Sequence, residues 1–186
     1  GWGKHPFSMM TGLDESFSGV VFTGYHSAAG TDTNPLSHTM NTRNNFIKIN
    51  GEICSELMMN CLTAAYCNVP VYCVSGDKGL CDWIQSVNPN IEVVAVSEGT
   101  GNGSMSIHPA VAVRRIKETV AKAVKKNGAD CMFPLPEHFH CEINFREHYR
   151  AYDGGFFPGA KQIDAKTVAF DADDWLDCLK FFHWVL

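Results

Sequence analysis

At 186 residues, 45% of them hydrophobic and with a mean hydropathy of -0.11, the chain can bury a substantial core as one domain, or one large piece of one. Lys and Arg number 15 against 20 Asp and Glu, a net charge of -5, so no basic field would draw in nucleic acid; no apolar run approaches the roughly 18 residues of a membrane span, and no secretory leader is evident. The 8 cysteines include no CxxC pair and several lie in apolar patterns, so they read as reduced core-fillers of a cytoplasmic protein rather than disulfides or a zinc knuckle.

The chain opens at Gly1 without an initiator methionine, and residues 1–12 show no obvious element, as expected of a chain that begins mid-protein. Residues 17–25 predict the first strand, whose buried run Val20-Val21-Phe22 ends at Gly24-Tyr25-His26. A long loop with Gly30 and Pro35 then carries Ser37-His38. The apolar segment Phe46-Ile47-Lys48-Ile49 leads through Asn50-Gly51 to Ser55, a helix N-cap, with Glu56 just inside the helix. Leu57, Cys61 and Ala64-Ala65 carry that helix to residue 67, where Asn68 stops it. Residues 69–75 form a continuous β-branched run, as a strand buried on both faces should. A turn, Gly76-Asp77-Lys78-Gly79, precedes a short helix over 80–86 and another buried strand over 91–96. Alternating strands and helices predict parallel pairing with crossover helices, so the expected fold class is α/β, a mostly parallel sheet flanked by helices.

Glu98 to Gly103 reads as a glycine-rich loop, followed by a helix over 109–127 with Pro109 at its first turn and Gly128 as terminator. Beyond residue 128 the character changes. Phe139, Cys141, Ile143 and Phe145 alternate with His138, His140, Glu142 and Asn144, a half-buried strand. A loop over 152–159, a strand over 167–170 and a helix over 172–184 complete the chain. The expected division is an α/β region bearing the site at 1–128 and a smaller α+β extension at 129–186.

His26 leaves a strand end, His38 sits on a loop and Glu56 heads a helix, which is where α/β enzymes place their chemistry. Taken singly, each has an ordinary alternative. A lone His after a strand is commonly structural, a loop His commonly faces solvent, and Glu in a first helical turn is favoured by the helix dipole. Glu52 competes with Glu56 as the carboxylate. Ser37 is no nucleophile candidate, because the chain lacks a GxSxG elbow. His138-x-His140-x-Glu142 offers a rival metal site on one strand face, although polar residues there need no function. Gly99-x-Gly101-x-Gly103 reads as a flexible connector by default and as an anion or nucleotide loop second.

Several segments together resemble the D-aminopeptidase (DppA-like) family of zinc metallopeptidases. They are Pro6-Phe7-Ser8-Met9, Gly12-Leu13, Gly24-Tyr25-His26, Ser37-His38, Ile49-Asn50, Ser55-Glu56, Val69-Pro70-Val71 and Gly76-Asp77, in the family's order and spacing. The resemblance implies that His26 and Glu56 are zinc ligands and that His38 is catalytic in proton transfer, with Glu56 rather than Glu52 in the ligand register. It further implies two zinc ions per complete subunit, short peptides as substrates, including ones that begin with D-alanine, and a homo-oligomer, a decamer in the family. The family's Asp-x-Glu-Gly and Asp-Ser-His ligand motifs do not occur in this sequence, and Asp14-Glu15 is a poor substitute. The chain therefore resembles the C-terminal two-thirds of a family member. The competing expectation is a non-catalytic binding or assembly subunit on a decayed hydrolase scaffold.

Overall fold

The computed structural model describes residues 5–186; residues 1–4, part of the opening stretch read above as featureless, lie outside them. The rest of that stretch holds one 3-10 turn, Ser8–Met10. β1 (Val20–Tyr25) follows, then β2 (Asn44–Ile49) and β3 (Glu52–Ile53), a hairpin turned by Asn50-Gly51. Both turn residues have positive φ, 51° and 85°, the backbone twist that an Asn-Gly pair accommodates. Next come α1 (Glu56–Tyr66), β4 (Val71–Asp77), α2 (Lys78–Val87), β5 (Glu92–Thr100) and β6 (Gly103–Ser106). The order closes with α3 (Pro109–Ala123), β7 (Phe139–Phe145), α4 (His148–Gly154), β8 (Lys161–Gln162), β9 (Thr167–Ala172) and α5 (Trp175–Val185). No helix among the described residues is long and apolar enough to cross a membrane.

The strands form two sheets. In the first, ordered β1-β4-β5-β6, the first three run parallel and β6 returns antiparallel, so the α/β class and the parallel pairing are as expected. The second, β3-β2-β7-β9-β8, is antiparallel throughout and draws strands from both sides of residue 128. Its existence was not legible locally. Alternation in β7 shows that one face is buried, but not that Ile143 will pair with Ile47 across nearly a hundred residues. Ile47, Ile49, Leu57, Phe139, Ile143 and Trp175 are almost fully buried in one core cluster. Seven of the cysteines are buried and all are free.

Three local expectations change. The glycine-rich loop is a β-hairpin: Thr100 pairs with Gly103, and Gly101 takes positive φ between them. The glycine run leads into β6 rather than directly into α3, so it lacks the strand-to-helix connection of a phosphate loop. α3 stops at Ala123 because Asn127 instead caps a separate 3-10 turn, accepting from the Ala129 N–H. The stretch over 152–159 begins inside α4.

His140 and Glu142 lie on the outer face of β7, as the alternation predicts, and His138 directly precedes the strand. The two histidine rings face carboxylates: His138 Nδ1 is 2.6 Å from Asp173, and His140 Nδ1 is 2.7 Å from Asp171. Those hydrogen bonds hold both imidazoles above their usual 6.5 and, at the other end, hold Asp171 below 3.8. The histidine contribution to stability is therefore complete below pH 6.5 and fades as pH rises through the raised values; the Asp171 contribution is lost only as pH falls through its lowered one. Between about pH 6 and about pH 9, the urea midpoint of the wild type is expected to fall further than that of Asp171→Asn, and parallel curves would show that the His140–Asp171 pair contributes nothing. The N-cap of α1 gives a second test. Ser55 accepts from Met58 N at 3.1 Å, so Ser55→Ala should cost about 1 kcal/mol in the same assay.

Candidate active site

Parallel strands end at a common edge, and a crossover helix begins there. At Gly24, φ is +74°, a backbone conformation open to glycine, and the chain turns so that His26 leaves the end of β1. Tyr25 is fixed beside it: its hydroxyl accepts from Asn60 Nδ2 at 2.7 Å, and burial pushes its pKa up to about 12, so the phenol stays neutral. The loop after His26 carries His38 back over the edge, where the two imidazoles stack with centroids 4.3 Å apart and planes 22° apart.

Glu56, the first residue of α1, completes the group. Its Oε1 accepts from the Met40 N–H at 2.8 Å and lies 3.7 Å from His38 Nε2. Met40 has φ of 64°, unfavourable for a residue with a Cβ, and that geometry aims its N–H at the carboxylate. One donor atom each from His26, His38 and Glu56 lies within 4.8 Å of the other two. Both rings turn Nδ1 towards a backbone carbonyl, His26 to Ser27 at 3.1 Å and His38 to Leu36 at 2.8 Å. A carbonyl beside Nδ1 keeps the proton there and leaves the Nε2 lone pair free. His26 and Glu56 offer an imidazole nitrogen and a carboxylate oxygen, donor types that a catalytic zinc site uses, with His38 Nε2 beside them. The residues present fit a zinc ion.

The other sequence candidates lie elsewhere. Glu52 is exposed in β3 and takes no part in the group. Ser37 donates to the Asn34 carbonyl at 2.7 Å, a turn-stabilising role. Among the described residues, His138, His140 and Glu142 do not form a comparable convergent group.

Sequence reasoning missed what holds the loop. Asp77, at the end of β4 and 2% exposed, accepts from the Ser27 N–H at 2.6 Å, the Ser27 hydroxyl, Asn34 Nδ2 at 3.0 Å and the Leu80 N–H at 2.9 Å. Burial alone would raise its pKa, but these donors outweigh burial and hold the carboxyl below the usual range. Thr39, fully buried, accepts from the Ala29 N–H at 3.1 Å and donates to the Cys54 carbonyl at 2.9 Å, which ties the loop to the entry of α1. Beneath the loop, a Cβ on Gly79 or Gly99 would collide with Thr33. Asp77 was legible only as a turn residue and part of a family motif, and Gly99 only as part of a glycine run. Neither pattern encodes the loop that comes to rest on it.

Ser27 and Ser55, the neighbours of His26 and Glu56, also line a cavity of about 1230 Å³ whose apolar walls include Met58, Trp83 and Phe133. The chemistry-bearing edge thus backs onto space larger than most small-molecule sites need.

Residues 1–184 match the Peptidase M55 family, described as D-aminopeptidase. The D-aminopeptidase of Bacillus subtilis (strain 168) is 32% identical over 176 residues, 92% of this chain and 63% of the relative. The solved structure of the Zn-dependent D-aminopeptidase DppA from Bacillus subtilis, described as a self-compartmentalizing protease, superposes with a TM-score of 0.86 at 30% identity. That match covers 97% of this chain and 66% of the solved one, so the chain spans about two-thirds of the length of the relatives it matches. By sequence and by fold alike, the chain belongs to the D-aminopeptidase family.

Proposed function

We propose that this chain carries part of the active site of a zinc-dependent aminopeptidase that hydrolyses the N-terminal residue of short peptides, including peptides that begin with a D-amino acid. The observation that carries the reading is the convergence of His26, His38 and Glu56 within 4.8 Å, in a chain of this family. His26 and Glu56 would hold the metal. Bound zinc supplies Lewis acidity, lowering the pKa of a coordinated water towards neutrality and polarising a carbonyl.

The remaining work falls to the chain's own groups. Met40 N–H holds Glu56 Oε1 in place, so the carboxylate keeps one orientation. His38 Nδ1 is engaged by the Leu36 carbonyl, which leaves Nε2 to take a proton from the attacking water and pass it to the leaving amine. The stacked His26 ring restricts the movement of His38 during that transfer.

Because the chain spans about two-thirds of its relatives, the proposal concerns the complete subunit, with two zinc ions and further ligands of the Asp-x-Glu-Gly and Asp-Ser-His type. The self-compartmentalizing character of the relative supports a homo-oligomer, and a decamer is the specific form proposed. Free, mostly buried thiols support a reducing, cytoplasmic setting.

Zinc content after dialysis and hydrolysis of D-alanyl peptides test the reading together. His38→Ala should retain the metal and lower kcat by about 10²–10⁴-fold, whereas His26→Ala should lose metal and activity alike. Equal metal loss in both variants would overturn the assigned roles. Absence of zinc from the wild type would favour the non-catalytic scaffold.

A further inference from the structure

We infer that Asp77 is a positioning residue for the metal centre: its buried carboxylate clamps the loop that runs from His26 to His38. The inference rests on the metallopeptidase reading above and assigns a residue to it. Four donors converge on the two oxygens of Asp77, and three of them belong to the loop. Two come from Ser27, the residue bonded to His26, and the third from Asn34, whose own carbonyl accepts from the Ser37 hydroxyl next to His38. Thr33 adds a link by donating to Ser27 Oγ at 2.7 Å.

A helix cap needs only one of these bonds. The Leu80 N–H is the capping donor of α2, and Ser or Asn in place of Asp would serve it about as well. Of the other three, the Ser27 N–H and Asn34 Nδ2 need the second oxygen, Oδ2, while the Ser27 hydroxyl shares Oδ1 with the cap. An exposure of 2% makes each lone pair costly to leave unmatched, so the carboxylate holds Ser27 and Asn34 in one arrangement. Below them, Gly99 donates its N–H to the Thr33 carbonyl at 3.1 Å and has no Cβ to push the loop away. The loop is fastened from the side by Asp77 and rests on a glycine floor. Its freedom to swing His26 away from Glu56 is correspondingly small.

Asp77→Ser separates cap from clamp, because a serine hydroxyl can cap α2 but is a single oxygen on a shorter side chain. We expect zinc affinity to weaken by about 10–100-fold, the range for groups that orient metal ligands, together with a lower melting temperature as the Ser27 and Asn34 donors lose their acceptor. Asp174 caps α5 through the Leu176 N–H and touches no residue of the loop, so its variant should lower thermal stability with zinc affinity unchanged. Amide hydrogen exchange at residues 27–34 should accelerate in Asp77→Ser and stay as in the wild type in Asp174→Ala. If Asp77→Ser does not fold, Ser27→Ala keeps the cap and removes one clamp donor, and should weaken zinc binding in the same direction by a smaller factor. Wild-type zinc affinity and exchange in the clamp variant would overturn this inference alone. A wild type that takes up no zinc would overturn the metallopeptidase reading, and this inference with it.

Discussion

Parallel alignment of β1, β4 and β5 is the constraint on which the rest of the molecule depends. Parallel strands bring their carboxyl ends to one edge of the sheet, and a crossover helix must start from that edge to return the chain. His26 at the end of β1, Asp77 at the end of β4 and Gly99 near the end of β5 are therefore neighbours by topology. Glu56 joins them because it opens α1. None of these residues needs to be near another in sequence.

The second sheet supplies what a three-strand parallel ladder lacks. Its inward faces bury Ile47, Ile143, Phe139 and Phe145, so α1 is enclosed between two apolar surfaces. Buried aromatic and branched side chains at this density leave little room for α1 to shift along its axis. Trp175 on α5 reinforces the arrangement, donating its indole N–H to Thr63 of α1 at 3.0 Å. A helix held in this way keeps its first carboxylate within a narrow range of positions, as the role proposed for Glu56 requires.

Backbone strain at the site serves its geometry. Met40 occupies the left-handed region, a conformation that costs of order 1 kcal/mol or more for such a residue. Its flanking residue Thr39 is fully buried and bonded on both sides, and its own N–H meets Glu56. Packing and hydrogen bonds over-determine that segment, which is how an unfavourable backbone conformation persists. The outer face of the second sheet makes the contrast clear: His138 and His140 pair with the exposed carboxylates of Asp173 and Asp171 and need no strain to do so.

By itself the sequence determined the local items. The Ser55 cap, the buried strand expected over 69–75 and found at Val71–Asp77, and the placement of His26, His38 and Glu56 at element ends all follow from short-range signals, and colinear motifs pointed to the family. Tertiary structure alone decided that β2 pairs with β7, that the glycine run forms a hairpin under Thr33, and that Asp77 reaches back fifty residues to Ser27. The reason is physical. Caps, turns and periodicity arise from forces between residues a few positions apart, whereas ladder partners and buried hydrogen bonds depend on which surfaces meet once the chain has folded, and a local pattern marks a surface as apolar or polar without naming its partner.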